Sequence, residues 1–263
     1  MSRRERTIEP SLDQVLEFCG RSAVERVFLE DVARRGLGRF AATAGADGTL
    51  SALCHIGANL VPSGTGCHVF RKAAARGDAR MIIGEAKAVG ELWDAARRSL
   101  PPAREDRPRQ PVYAIDAPPP AGDTGLRAAL PSDVDLLLPA CAAAHRLELG
   151  VDPIARDPDG FRWRTVTQID EGRSWLWVED GRILFKAEAS AWTPAAVQIA
   201  QVWVDPSLRG RGYGSRGLRD LIRLLLATTP TVTLFVRRDN REAIGLYESI
   251  GMQRALEYRS VLF

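Results

Sequence analysis

Between Arg209 and Arg219 the chain reads RGRGYGSRGLR, four glycines interleaved with four arginines. This is the composition of an anion site. Glycine lets successive backbone N–H groups turn toward one point, arginine adds permanent positive charge, and a helix starting there contributes the positive end of its dipole. The preceding run, VQIAQVWV, alternates as a strand, and Leu218, Leu221, Ile222 and Leu225 after it share one face of a helix. A strand–loop–helix junction of this kind suits a dinucleotide, the diphosphate of another cofactor, or a nucleic-acid backbone.

The spacing separates these options. Gly212-Tyr213-Gly214-Ser215-Arg216-Gly217 matches the dinucleotide pattern G-x-G-x-x-G, and Asp239, flanked by Arg237 and Arg238, stands where a ribose-binding acid belongs. However, seven residues, Asp205 to Arg211, separate the strand from Gly212, and the 24 residues after Asp239 have room for only one helix and one strand. A parallel dinucleotide sheet cannot be completed. No Gly-Lys-Ser/Thr follows the glycines, which removes a Walker-type loop. Nucleic acid stays open as the weaker option: Arg209, Arg211, Arg216, Arg219 and Arg223 lie close together, but Tyr213 is the only aromatic platform and the whole chain carries just +3. The remaining form, Arg209-Gly210-Arg211-Gly212-Tyr213-Gly214, fits [Arg/Gln]-x-x-Gly-x-[Gly/Ala], whose amides through Ser215 suit a diphosphate.

The elements that must position this loop lie in a chain of 263 residues, 45% hydrophobic and 26% charged, the profile of a soluble globular protein. The N-terminal MSRRERTIEPSLDQ lacks an apolar core of signal-peptide length and no run is long enough to span a membrane, so a cytoplasmic protein is expected. Four scattered cysteines suggest reduced thiols rather than a disulfide scaffold. The dipeptides Cys54-His55 and Cys67-His68 raise a metal reading, but neighbours on a strand face opposite ways, and no metal site is expected.

A proline-rich stretch divides the chain, which reads as residues 1–115, a linker at 116–124, and residues 125–263. In the first part, Ser11 and Gln14 form a capping box for one helix, and a second helix spans 22–35. Two strands follow around Ala46-Asp47-Gly48, then a short helix at 69–76, a strand at 80–83, a helix at 86–98 and a strand at 112–115. The second part repeats this order: a strand at 126–129, a helix capped by Ser132, a helix near 161–170, and a meander of strands at 174–178, 183–189 and 197–204. The glycine–arginine loop, a helix at 213–227, a strand at 231–236, a helix at 241–250 ended by Gly251, and a last strand at 255–263 complete it. The expected class is α/β with a mixed sheet (α+β). The first part is either a degenerate copy of the second or an unrelated, smaller α/β module.

On two stretches, VWVDPSLRGRGYG and VRRDNREAIGLYESIGM, the second part resembles the GCN5-related N-acetyltransferases, the GNAT family. The second stretch matches an Asn-x-x-Ala-x-x-x-Tyr-x-x-x-Gly-Phe segment at Asn240, Ala243, Tyr247 and Gly251, with Met252 in place of Phe. Through MIIGEAKAVGELW and ILFKAEASAWTPAAVQIAQVWV the whole layout is also similar to an actinobacterial group in which a GNAT domain follows a DUF4081-type domain. The first half has no such loop, only Gly64-Thr65-Gly66, so if it is a degenerate copy it has lost cofactor binding.

The resemblance implies an acetyl-CoA-dependent N-acetyltransferase acting by direct transfer to a primary amine through a tetrahedral intermediate. The coenzyme A diphosphate is then held by Arg209, Gly210, Arg211, Gly212, Tyr213, Gly214 and Ser215, its pantetheine arm pairs with the backbone of Val202, Trp203 and Val204, and Asn240 caps its helix or touches the cofactor. Tyr247 protonates the departing thiolate, or else serves as a core aromatic on the stripe Ala243, Ile244, Tyr247, Ile250. For the base, Glu188 is the first candidate, with a solvated strand carboxylate as its plain alternative. Val197–Val204 has no glutamate, so water relayed by Gln201, or the terminal carboxylate of Phe263, also stands. The region 145–173 mixes both charge signs and selects no acceptor, whether small amine, peptide or protein lysine. A coenzyme A-binding sensor without turnover is the alternative reading. No membrane partner is expected.

Overall fold

The computed structural model describes residues 7–263; the part of the signal-peptide reading that falls on residues 1–6 lies outside them. Among the described residues the first half contains helices α1 (Leu12–Gly20) and α2 (Ala23–Arg34), strands β1 (Arg39–Ala44), β2 (Leu50–Ile56) and β3 (Leu60–Gly64), the short α3 (Arg71–Ala74), β4 (Met81–Glu85), α4 (Ala86–Ala96) and β5 (Glu105–Ile115). The second half runs β6 (Arg127–Ala128), α5 (Val134–Leu149), α6 (Pro153–Arg156), α7 (Pro158–Asp170), β7 (Ser174–Glu179), β8 (Arg182–Trp192), β9 (Val197–Val204), α8 (Tyr213–Leu226), β10 (Val232–Phe235), α9 (Arg241–Ser249) and β11 (Gln253–Leu262). No helix among the described residues is long and apolar enough to cross a membrane.

All eleven strands of the described residues join one mixed sheet in the order β1-β2-β3-β4-β11-β5-β10-β9-β8-β7-β6. The halves exchange their last strands. β5 of the first half lies between β11 and β10, and β11 of the second lies between β4 and β5. The arrangement is mirrored in kind on the two sides: β3 runs parallel to β4, and β9 parallel to β10. Local sequence carries no trace of this exchange, because β11 meets β5 across a long stretch of chain.

Helices cover the sheet because their apolar residues repeat at helical spacing. On α8, Leu218, Leu221, Ile222 and Leu225 are fully buried and pack with Trp175, Phe185, Val197 and Leu234 of the sheet. In the first half Val89 and Leu92 of α4 join Leu60, Phe70 and Ile82 in a separate core. Gly217 shows how tightly α8 sits: a Cβ there would lie 2.5 Å from Cγ of Phe185.

The capping box of Ser11 and Gln14 is formed, with N–H to Oγ at 3.2 Å and the reciprocal bond at 3.0 Å. Ser132 does not cap α5. That helix follows a single 3-10 turn, Pro131–Asp133, and the Asp133 carboxylate instead accepts from Leu130 N at 2.7 Å and pairs with Arg127 at 2.6 Å. Strand β3 was not expected, since Pro62 sits inside it, and β5 begins seven residues earlier than the apolar run Val112–Ile115 suggests, passing Pro108 and Pro111. The segment 116–124 has no regular structure but is fastened to α8. Asp220 accepts from Gly122 N at 2.7 Å and Thr124 N at 2.9 Å, and Arg216 Nε donates to Gly122 O at 2.8 Å. We propose it as the connector in chain order, between halves that in space share a sheet.

Candidate active site

The glycine–arginine loop folds as its residue types dictate. After β9, Asp205 accepts from Ser207 N at 2.9 Å and sets the turn Pro206–Leu208, whose Leu208 is buried. Gly210 and Gly212 then take φ of 73° and 83°, values that L side chains rarely adopt, and Gly212 leads directly into α8. The first N–H groups of a helix have no intrahelical acceptor, so the amides of Tyr213, Gly214 and Ser215 are open at the positive end of a 14-residue helix. At Gly214 a Cβ would lie 3.4 Å from Val204 Cγ2 and 3.6 Å from Leu246 Cδ2, so the helix end, β9 and α9 converge there.

This loop forms one wall of a cavity of about 740 Å³. The cavity exists because β9 and β10 pair only at Val197 with Val232 and at Gln198 with Thr233. Beyond that point β10 stays with β5, pairing Leu234 with Tyr113 and Phe235 with Val112, while β9 stays with β8. The two strands part. On the β9 side, pairing with β8 skips from Trp203 to Ala200, and Gln201 in the skipped bulge holds φ of 53°, rare for a residue with a side chain.

Of the residues expected at the cofactor site, Val202, Trp203, Val204, Arg209, Gly210, Gly212, Tyr213, Gly214, Ser215 and Asn240 all line this cavity. Arg211 is exposed and outside the lining. Tyr213 also has a packing role, its ring centroid 5.2 Å from that of Trp177. Asn240 caps α9, its Oδ1 accepting from Ala243 N at 3.1 Å, while facing the cavity.

Tyr247, on α9, lines the same cavity and is buried, with its ring centroid 6.0 Å from that of Tyr113. Burial, reinforced by the nearby Glu148 carboxylate, pushes its phenol pKa up, so the proton stays on Oη through neutral pH.

Glu188 has different surroundings. Its carboxylate is 3% exposed, receives Lys186 Nζ at 2.7 Å and Arg164 Nη2 at 2.8 Å, and lies 3.4 Å from Cys141 Sγ. Lys186 is itself fully buried and its Nζ also reaches Cys141 Sγ at 3.3 Å. Burial alone would raise the Glu188 pKa, but the charges of Lys186 and Arg164 outweigh it and hold the carboxyl down to about 2. A carboxylate so held is a poor proton acceptor, and Glu188 does not line the cavity.

Among the cavity residues that escaped the sequence reading, two charged residues face each other across the halves. Glu148, half-buried in the last turn of α5, lines the cavity, and its carboxylate accepts from Gln201 Nε2. Arg107 comes from β5 of the first half, lines the cavity, and donates from Nη2 to the backbone oxygen of Glu148 at 2.9 Å. A signal for Glu148 was present in HRLELG: an acid just before the capping Gly150 opposes the helix dipole, and that unfavourable placement asks for another reason.

The sequence profile of the acetyltransferase (GNAT) family matches residues 142–252, which hold the loop, the parted strands and Tyr247. Over these residues the chain is similar to the GNAT family. Residues 40–137 match a domain of unknown function, DUF4081. The chain is 43% identical over 61 residues, 23% of its length, to the N-alpha-acetyltransferase RimI of Mycobacterium tuberculosis. It is 33% identical over 108 residues, 38% of its length, to a mycothiol acetyltransferase of Nocardioides sp.. These matches span 37% and 35% of the relatives' own lengths. A GCN5-related N-acetyltransferase from Sphaerobacter thermophilus superposes with a TM-score of 0.58 at 21% identity, covering 98% of this chain and 94% of that one. The GNAT-type fold therefore extends over both halves.

Proposed function

We propose that the chain is an N-acetyltransferase that takes its acetyl group from acetyl-CoA and delivers it to a primary amine. One observation carries the reading: open helix-end amides, parted strands and a buried phenol with its proton all face a single cavity. The residues fit the cofactor. Arg209, Gly210, Gly212, Tyr213, Gly214 and Ser215 would hold its diphosphate, and the β9 edge at Val202, Trp203 and Val204 offers backbone groups that β10 leaves unpaired. When bound, acetyl-CoA supplies the acyl group as a thioester.

The protein's own groups have two tasks beside binding. Backbone N–H at the β9 bulge polarises a carbonyl, and Tyr247 gives its Oη proton to a leaving thiolate. The acceptor is taken as an amine by analogy with the relatives, and an N-terminal α-amine, after the N-alpha-acetyltransferase, is the first to try. The cytoplasmic setting expected from the sequence belongs to the same proposal.

The test is thiol release from acetyl-CoA in the presence of a short peptide with a free α-amine and of spermidine, read with an aromatic disulfide reagent. Tyr247→Phe should lower turnover about 100-fold while coenzyme A affinity stays near wild type. Equal loss of both would make Tyr247 a packing residue. Coenzyme A uptake with no amine-dependent release in the wild type would instead mark a sensor.

A further inference from the structure

A transferase of this kind has to free the lone pair of an amine that arrives as an ammonium ion, and Glu188 is occupied by two cations away from the cavity. Resting on the reading above, we infer that Glu148 is the proton acceptor for the incoming amine, positioned by Gln201 of the β9 bulge and by Arg107 of the first half. The position comes first. Glu148 lines the same cavity as Tyr247 and the parted strands, and its carboxylate lies against Gln201 of β9 and near enough to the Tyr247 phenol to act on it electrostatically.

The hold on it is also suited to a base. The carboxylate takes its hydrogen bond from Gln201, which fixes its orientation and lowers its pKa by less than burial raises it. Gln201 reaches it because the bulge, with φ of 53°, turns that residue out of the regular alternation of β9. Arg107 then fixes the end of α5 through the Glu148 carbonyl, while its own fork is set by Glu105 at 2.8 and 2.6 Å. The charged groups around the carboxylate are Arg107 on β5, Glu188 on β8 and Arg164 on α7, with neutral Tyr247 on α9. Among these influences burial is the largest, and the Glu148 pKa lies above the ordinary carboxylate value.

In the step itself one N–H bond of the ammonium breaks and one O–H bond forms on Glu148. The nitrogen keeps the electron pair, nothing is oxidised or reduced, and the proton later passes to water. The strand exchange thus has a chemical consequence: the first half supplies Arg107 to the acceptor side of the second half's cavity.

The experiment uses the full chain, acetyl-CoA and whichever of the α-amino peptide or spermidine the wild type acetylates, over pH 5–9. Glu148→Gln is expected to lose about 100-fold or more in kcat/KM and to lose the acid limb of the profile, with coenzyme A affinity within about twofold of wild type. That affinity also reports that the variant folds. Arg107→Ala, which removes a nearby positive charge, is expected to move the acid limb to higher pH, a shift that loosened packing alone would not produce. A Glu148→Gln profile that keeps its acid limb and its rate overturns the inference while leaving the transferase reading intact. A wild-type chain that binds coenzyme A but releases no thiol with either amine overturns the transferase reading, and the inference with it.

Discussion

Replacing Glu188 by glutamine tests whether that residue holds the fold or performs chemistry. The side chain keeps its shape but loses its charge, leaving the Lys186 ammonium, fully buried, with Cys141 Sγ at 3.3 Å as its remaining neighbour from this cluster besides a neutral amide. Breaking one partner of a buried pair costs about 3–5 kcal/mol, because the other charge stays in the interior uncompensated. The depressed pKa gives a similar figure: lowering it from 4.5 to about 2 corresponds to roughly 3 kcal/mol. For a chain of this size that predicts a fall in Tm of about 6–20 °C by thermal unfolding at pH 7. The pH dependence has a definite sign. Because the folded-state pKa is depressed, the contribution is complete above the unfolded value near 4.5 and fades as pH falls toward 2, so the gap between wild type and variant should narrow over that window. Unchanged stability together with lost turnover would refute this account and restore Glu188 as the base.

Two other expectations follow from particular contacts. Asp220→Ala removes the acceptor for two amides and the Thr124 hydroxyl, bonds of 2.7, 2.9 and 2.6 Å, and should loosen the 116–124 segment by about 1.5–3 kcal/mol; limited proteolysis should then cut there first and at least about tenfold faster. All four cysteines are buried, and burial pushes Cys19 and Cys67 up to about 12 and Cys141 up to about 11, so the native chain should react negligibly with an aromatic disulfide reagent until denatured.

What the sequence disclosed was whatever local spacing encodes. The alternation of VQIAQVWV, the glycines with positive φ and the apolar stripe of α8 are local, and they led to the loop and its cavity. β3 was hidden because Pro62 interrupts a strand of five residues, and the early part of β5 because Arg107 and Pro108 do not read as a strand. The exchange of β5 and β11 depends on pairings such as Leu262 with Glu105, which no short window contains. Choosing between carboxylates was harder still. Glu188 sits well on a strand in text, yet its basicity is decided by Lys186 and Arg164; Glu148 was passed over because its partners Gln201 and Arg107 come from strands distant in the chain.

The central claim is that the amides at the start of α8 hold the diphosphate of coenzyme A. Titration calorimetry of coenzyme A into the full chain tests it most directly, with Gly212→Val as the comparison, since φ of 83° at that position cannot be held by valine without strain. The account predicts uptake of one equivalent by the wild type and a loss of at least about tenfold in affinity for the variant at unchanged fold. No uptake by the wild type, or equal affinity in a folded Gly212→Val chain, would contradict it.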